Sequence, residues 1–192
     1  MLRNLRHSLV VLLALALVLA AAACGGGSGE GDDGQEGVPF AVYADEAIGD
    51  RADDGWLRCG APRDACPPSF LRPTGSYTYR PTGEPALGPE HTAGASAADA
   101  GELWAVTIEL TGAGAQRFHQ LTRRLAQEGK EQGRFRNFAV VVGDEIVAYT
   151  TVHPEEYPDG IQTTSLSLAA NDAEDAQRIV ETVNAEVEAR SG

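Results

Sequence analysis

The stretch Trp104-Ala-Val-Thr-Ile-Glu-Leu110, followed by Thr111-Gly112, is the part of the sequence that says most about the fold. Apolar and polar side chains alternate along its first seven residues, which is typical of a strand with one buried face. Thr111 is a residue type that caps helix N-termini. After it, mostly apolar residues recur at helical spacing as far as Gly129, so that they share one face of a helix. The side chains of that face are Ala115, Phe118, Leu121, Thr122 and Leu125. The stretch therefore predicts a strand that leads into an amphipathic helix.

The residues that follow predict a hairpin and a further strand. Phe138–Val142 is a fully apolar run of the buried kind, and Gly143-Asp144-Glu145 is a turn sequence before the strand Ile146–Val152. Ile161–Leu168 alternates again, which predicts that its serines face outward and its leucines face inward.

A second helix closes the pattern, and we expect Asn171 to cap it. Its core-facing stripe consists of Ala173, Ala176, Ile179, Val180, Val183 and Val187. The order strand, helix, hairpin, strand, helix predicts an α+β fold, with two main helices packed on one face of a mixed or antiparallel sheet.

The first half of the chain has a weaker pattern. Val38–Tyr43 and the alternation around Tyr77 and Tyr79 predict short strands, whereas residues 44–100 otherwise have no clear periodicity. About 155 residues follow the start of the first strand, which is enough for one domain, and we assign it to residues 38–190.

The N-terminus has the pattern of an export signal. Arg3 and Arg6 precede an uncharged apolar run from Leu9 to Ala23, which is shorter than the roughly 20 residues that a membrane-spanning helix needs. The run ends in Ala21-Ala22-Ala23-Cys24, which resembles the lipobox of bacterial lipoproteins, except that the family usually has Leu, Val or Ile where Ala21 stands. We therefore predict a signal peptide over residues 1–23, lipidation of Cys24 and a localisation at the extracytoplasmic face of the cell membrane. The alternative is a plain secretory signal that leaves Cys24 as an odd thiol.

A flexible tether is expected after Cys24, because residues 24–37 contain Gly, Ser, Asp and Glu and almost no apolar side chain. The whole chain carries 28 acidic residues against 15 Lys and Arg, for a formal net charge of −13. Such a chain repels nucleic acid, so we exclude nucleic-acid binding and expect the membrane to be reached through the lipid.

The remaining cysteines are Cys59 and Cys66, which flank a short loop with Gly and Pro. In an exported protein, an even pair of this kind predicts a disulfide. Half of a zinc site is the alternative, but no second Cys or His pair stands at ligand spacing.

Residues 85–186 resemble the head of the large extracytoplasmic domain of SecD. The first match is the strand-to-helix segment Val106-Thr-Ile-Glu-Leu-Thr111 with Ala115-Gln-Arg-Phe118 after it. The second is Phe138-Ala-Val-Val-Val-Gly-Asp-Glu-Ile-Val147, in which Gly143 and Asp144 stand in swapped order relative to the family hairpin. Gly160-Ile-Gln-Thr-Thr164 with the helix after it is similar to the last strand and helix of the family, and Leu87–Ala93 is similar to its leader segment.

The resemblance implies a binding module rather than an enzyme or a proton-driven motor. SecD proteins carry several transmembrane helices, and this chain has no second apolar segment of that kind. The head of the family is thought to contact emerging polypeptide. The resemblance therefore implies a polypeptide, an envelope protein or the Sec translocase as partner and protein export as the setting. We expect the contact surface to be an exposed sheet face or edge, with Tyr149 and Tyr157 as anchors.

The loop between His153 and Asp159 concentrates Glu155, Glu156 and Asp159, which makes it a candidate calcium site, although a solvated acidic loop explains it as well. The alternative function is therefore an extracytoplasmic module that binds a small ligand or a cation through this loop. The Gly-rich turn at residues 111–117 lacks the third glycine of a dinucleotide site, so a permissive helix start is favoured. The sequence shows no nucleophile elbow and no His pair at metal spacing, and we expect no catalytic residue, no metal and no cofactor.

Overall fold

The computed structural model describes residues 38–49, 55–59, 77–101 and 103–192, and every described residue falls within one compact unit that spans Gln35–Gly192. The predictions for the signal peptide, Cys24, the tether and Cys66 concern residues outside this range. The described elements, in chain order, are β1 (Val38–Ala44), α1 (Asp45–Ile48), β2 (Leu57–Cys59), β3 (Tyr77–Tyr79), a 3-10 turn (Pro89–His91), β4 (Thr92–Asp99), β5 (Trp104–Leu110), α2 (Gly112–Gln132), β6 (Arg136–Gly143), β7 (Glu145–Val152), β8 (Ser165–Ala170) and α3 (Ala173–Ser191).

The strands form two sheets. The larger sheet has the order β1-β6-β7-β2-β3 and is mixed, because β2 runs parallel to β7 while the other pairs are antiparallel. The smaller sheet has the order β4-β5-β8 and is antiparallel throughout. The predicted α+β class is confirmed, and the division of the strands into two sheets is a feature that the sequence pattern did not resolve.

The main core lies between the two sheets and the two long helices. Phe118 of α2 and Phe138 of β6 meet there edge to face, with ring centroids 5.3 Å apart. The inward residues of β5, β8 and α3 complete it: Val106, Ile108, Leu110, Leu166, Leu168, Ala170, Ala176, Ile179 and Val183. The predicted helical and strand stripes therefore point into one core, except that Ala173 at the start of α3 is exposed and Val187 near its end lies outside the core.

The fully apolar run of β6 has a structural cause. Phe138, Val140 and Val142 point into the main core, whereas Ala139 and Val141 point into a second, smaller core on the other side of the larger sheet. A strand that is buried on both faces needs apolar residues at every position. The second core also contains Tyr43, Ile48, Leu57, Cys59, Tyr79 and Ile146.

The helix boundaries differ slightly from the predictions. The Thr111 hydroxyl accepts a 3.0 Å hydrogen bond from the Gly114 N–H, as a cap should, but α2 continues past Gly129 to Gln132. The prediction that Asn171 caps α3 is wrong by one position. The Asp172 carboxylate accepts a 2.8 Å hydrogen bond from the Asp175 N–H, and the Asn171 amide donates instead to the Asp175 side chain.

The strand predicted over Ile161–Leu168 begins later, at Ser165. The cause is that the chain before it is bound to α2, where the Ile161 N–H donates a 2.8 Å hydrogen bond to the buried Thr122 hydroxyl. Gly160 has a φ of +87°, and a Cβ there would lie 2.7 Å from the His119 carbonyl oxygen. Only glycine allows so close an approach, and it diverts residues 160–164 away from the sheet.

Strand β4 was not predicted at all. Its sequence, Thr92-Ala-Gly-Ala-Ser-Ala-Ala-Asp99, has no large apolar side chain and hence no visible alternation. It nevertheless pairs with β5 from end to end. In the described parts of the chain, no helix is both long and apolar enough to cross a membrane.

Candidate functional site

The two edges of the smaller sheet differ in how their backbone groups are hydrogen-bonded. The β4 edge is covered by α3. Asn184 of α3 binds the outward-facing backbone of Ala95 twice: its Oδ1 accepts from the Ala95 N–H at 2.8 Å, and its Nδ2 donates to the Ala95 carbonyl at 3.0 Å. One turn and a half further on, Arg190 donates to the Thr92 carbonyl and hydroxyl at 3.3 Å. The side chain of Asn184 thus takes the place of a neighbouring strand.

The β8 edge has no such cover. The Leu110 N–H donates to the Thr164 carbonyl at 2.8 Å. Because successive residues of an antiparallel strand point their backbone groups alternately toward and away from the partner strand, this bond determines which residues of β8 face β5. The backbone groups of Leu166 and Leu168 consequently point toward β5, and those of Ser165, Ser167 and Ala169 point away from it. The Thr163 hydroxyl binds both the N–H and the carbonyl of Ser165, at 3.2 and 2.7 Å.

Beyond Ser165, the outward backbone groups of Ser167 and Ala169 have no partner within the described part of the chain. Both residues are exposed. An unpaired row of N–H and C=O groups at a sheet edge is a template on which another extended chain can pair.

The face of the smaller sheet that points away from the core carries mostly short side chains, and the exposed Glu109, which pairs with Ser165, is the long one. Ser96, Thr107 and Ser167 form one cross-strand row, and Ala98, Ala105 and Ala169 form the next. All six are exposed or half-buried. A chain added beside Ser167 and Ala169 would continue these two rows of short side chains.

The predicted anchors have different environments from those expected. Tyr149 packs against the second core, and burial, helped by the Asp45 carboxylate, raises the pKa of Tyr149 to about 12. It is half-buried and therefore offers little free ring surface as a contact residue. Tyr157 lies in the turn after β7, where a hydrogen bond with the Glu156 side chain raises the pKa of Tyr157.

The acidic loop is held by hydrogen bonds within its own backbone. The N–H groups of Glu156 and Tyr157 donate to the His153 carbonyl at 3.1 and 2.9 Å, and the Gly160 N–H donates to the Tyr157 carbonyl at 3.0 Å. Among the described residues, no three His, Cys, Asp or Glu side chains come together in a way that could hold a metal ion. Glu155, Glu156 and Asp159 are thus not gathered into such a group in the described structure, and calcium binding by this loop stays a prediction.

A groove that the sequence did not reveal lies between this loop and the C-terminal end of α2. It has a volume of about 710 Å³ and is lined by Gly129, Lys130, Gly133, Arg134, Phe135, Pro154, Glu155 and Pro158. The Phe135 side chain is 54% exposed, and its ring lies against that of His153 with centroids 4.8 Å apart. An aromatic residue between two arginines, just after a helix end, was the only sequence signal for it.

The Gly-rich turn and His119 have structural explanations. A Cβ at Gly114 would lie 2.2 Å from the His91 carbonyl oxygen, so glycine permits the 3-10 turn to pack on the start of α2. His119 is half-buried beside a shallow hollow formed with Ala115 and residues 162–164, and its Nδ1 is buried without a hydrogen-bond partner in the described structure.

A buried ion cluster joins β6, α1 and α2. The Arg136 guanidinium, only 5% exposed, binds Asp45 at 2.6 Å and also binds Glu46 and Glu128. Burial raises the pKa of Asp45, but the hydrogen bonds and charge of Arg136, with smaller contributions from Glu46 and the Asn137 N–H, bring that pKa below its usual value. The cluster is fully paired, which assigns it to stability rather than to ligand binding.

Cys59 is fully buried at the end of β2, and its predicted disulfide partner lies outside the described residues, so the pairing stays a prediction.

No protein-family model and no curated protein sequence matches the chain. Among solved structures, the chain is similar to SecDF in its super-membrane-facing form, with 19% identity and a TM-score of 0.42 over 53% of this chain and 12% of that one. It is also similar to a structure described as a membrane component, SecDF, that enhances protein export, with 15% identity and a TM-score of 0.48 over 82% of this chain and 70% of that one. These values describe a partial likeness of fold, and they carry no information about what this chain binds.

Proposed function

We propose that this chain is a membrane-anchored, non-enzymatic protein that binds an extended polypeptide segment by adding it as a strand to β8. The observation that carries the proposal is the unpaired outward backbone of Ser167 and Ala169. In strand addition, hydrogen bonds between main chains supply the affinity, and pockets for alternate side chains supply the specificity.

The dimensions of this edge predict weak and unselective binding. Two outward residues offer up to four backbone hydrogen bonds, each worth about 0.5–1.5 kcal/mol net. Ordering a flexible segment offsets much of that gain, so a transient complex is expected. The Ala and Ser side chains of the adjoining face form no deep pocket, which favours tolerance of many sequences over recognition of one.

The cellular location and the process that we propose for this function rest on the sequence. The signal peptide and the acylated Cys24 would hold the domain at the outer face of the membrane, with residues 24–37 as its tether. Because the motifs of residues 85–186 resemble those of the SecD head, we propose protein export as the process and a chain emerging from the Sec translocase as the partner.

The test is photo-crosslinking in cells that produce the full, lipid-anchored chain. A photoreactive residue replaces Ser167 at the open edge, and the matched control replaces Glu181, an exposed residue of α3. We expect adducts of many sizes from position 167, identified by mass spectrometry as exported polypeptides or translocase subunits, and none above background from position 181.

A single dominant envelope protein at position 167 would replace the export role with a dedicated partner while keeping the edge as the contact surface. Equal labelling from both positions, or none from either, would overturn the proposal that β8 binds polypeptide.

A further inference from the structure

The groove at the end of α2 is lined by one carboxylate, Glu155, and by two cations, Lys130 and Arg134, that form no ion pair in the described structure. Acidic residues outnumber Lys and Arg by 28 to 15, so a cation in this protein is expected to find a carboxylate. Five arginines do so in the described structure: Arg58, Arg124, Arg136, Arg178 and Arg190. Among the described cations that bind no carboxylate, Lys130 has no partner and Arg134 binds only the neutral Gln132 amide, at 2.7 Å. Arg117 and Arg123 also bind no carboxylate, but they do not line the groove.

The cations Lys130 and Arg134 lie beside the exposed apolar side chains that line the groove. Lys130 and Arg134 both line the groove, together with Phe135 and the rings of two prolines. Apart from Phe135, the exposed large apolar side chain of the described structure is Leu103, which lies in another part of the chain. An exposed aromatic ring next to unpaired cations is a combination that favours a ligand with an apolar group and a negative charge.

The shape of the site limits the kind of ligand. A volume of about 710 Å³ is in the range of pockets that enclose a small group, so an inserted side chain can be held on several sides. A broad anionic membrane surface fits poorly, because it would also face Glu155 and the exposed carboxylates of Glu156 and Asp159 on the loop side of the groove. Those acids would be pressed against the lipid headgroups. A single narrow segment can place its negative charge on the α2 side alone, beside Lys130 and Arg134.

We propose that this groove binds a peptide segment in which an apolar side chain is flanked by carboxylates. The apolar side chain packs on Phe135 and the prolines, and the carboxylates bind Lys130 and Arg134. The site is separate from the β8 edge in composition, and it recognises side chains where β8 recognises backbone.

The probe is the tripeptide Asp-Phe-Asp with blocked ends, and the control probe is the blocked tripeptide Lys-Phe-Lys. Each is titrated into the full, lipid-anchored chain in nanodiscs, and binding is measured by calorimetry at low salt. We expect Asp-Phe-Asp to bind and Lys-Phe-Lys to fail, with several-fold weaker binding at 0.5 M salt because the ion pairs are exposed.

Three variants locate the site. Lys130→Glu and Phe135→Ser should each weaken Asp-Phe-Asp binding by about tenfold or more, which corresponds to the loss of one charged or apolar contact of about 1.4 kcal/mol. Leu103→Ser is the matched control, since it removes an equally exposed apolar side chain, 56% against 54%, away from the groove. All three side chains are exposed, so melting temperatures should remain near that of the parent chain.

Equal binding of the two tripeptides, or an equal loss in Leu103→Ser, would overturn the proposal. If 3-phenylpropionate binds as tightly as the peptide, the ligand is a small apolar acid and the peptide part is wrong. The outcome is independent of the β8 edge, because Ser167→Pro should leave Asp-Phe-Asp binding unchanged even if it abolishes strand addition.

Discussion

The two edges of the smaller sheet differ in their protection, although they belong to strands of similar composition. At β4, the Asn184 amide and Arg190 of α3 bind the backbone that would otherwise be open. At β8, the Thr163 hydroxyl binds Ser165, and two more residues remain unpaired in the described structure. Proteins generally cover their edge strands because open edges invite pairing with other chains. An edge left open beside one that is closed with a dedicated side chain therefore suggests a function.

The edge of the larger sheet at β1 supports this comparison. There the backbone of residues 86–87 binds Val42, with the Val42 N–H donating to the Leu87 carbonyl at 2.9 Å and the Ala86 N–H donating to the Val42 carbonyl at 2.8 Å. Two of the edges that the structure describes are thus closed by the chain itself, in one case by backbone and in the other by side chains.

The largest effect is expected from a change far from both edges. Arg136→Met should lower the free energy of unfolding by about 3–5 kcal/mol at neutral pH, because it removes the cation of the largely buried Asp45 and leaves Glu46 and Glu128 with Arg124 alone. Urea unfolding measures this loss. If folded Arg136→Met chains still bind an extended peptide with parental affinity, the open edge acts independently of global stability, and if they do not, the comparison between edges fails.

The same variant has a predictable pH dependence. The lowered pKa of Asp45 contributes stability above its unfolded pKa of about 3.8, and that contribution is lost as the pH falls through the folded value. The difference in unfolding free energy between the parent chain and Arg136→Met should therefore shrink when urea unfolding is repeated between pH 7 and pH 3. A constant difference would show that the ion pairs contribute nothing specific.

Asn184→Leu should open the guarded edge. It leaves the Ala95 N–H and carbonyl unpaired at a partly buried position, which should cost about 1–3 kcal/mol in urea unfolding. It should also promote self-association in size-exclusion chromatography, since a second edge becomes available. Asn171→Leu is the control, because Asn171 is exposed and bonds only to Asp175. Equal behaviour of the two variants would mean that Asn184 does not guard β4.

Ser167→Pro should close the open edge. Proline removes the outward N–H of residue 167 without breaking a bond to β5, so it should weaken binding of a fluorescent, alternating Thr-Val peptide by about tenfold. Ala97→Pro is the matched control, because the Ala97 N–H also points outward, but on the β4 side. Fluorescence polarisation measures both, and equal losses would contradict strand addition at β8.

The smallest effect is expected from Thr163→Val, which removes only a hydroxyl. The unpairing of the Ser165 backbone should lower the unfolding free energy by about 0.5–1.5 kcal/mol. It should also lengthen the available edge by one residue and strengthen peptide binding by a few-fold. Weaker binding in the same polarisation assay would show that Thr163 takes part in the contact instead of limiting it.

The sequence alone determined the elements of the second half of the chain. The alternation of Trp104–Leu110, the cap at Thr111 and the stripes of both long helices were readable because they depend on local spacing and on burial of one face. The export signal, Cys24 and the lack of nucleic-acid binding were likewise inferred from local patterns and charge, and they remain predictions because they concern residues or partners outside the described structure.

Only the tertiary structure decided where the open surfaces lie. Strand β4 has no apolar alternation, and its edge is covered by Asn184, which is remote from it in sequence. At β8, Thr163 covers only the Ser165 backbone, and the strand pattern does not reveal this. The burial of Tyr149, the dispersed acids of the 153–159 loop and the groove around Phe135 likewise depend on contacts between distant segments. The physical reason is that periodicity records which face of an element is buried, whereas an edge or a groove is defined by the neighbours that an element lacks.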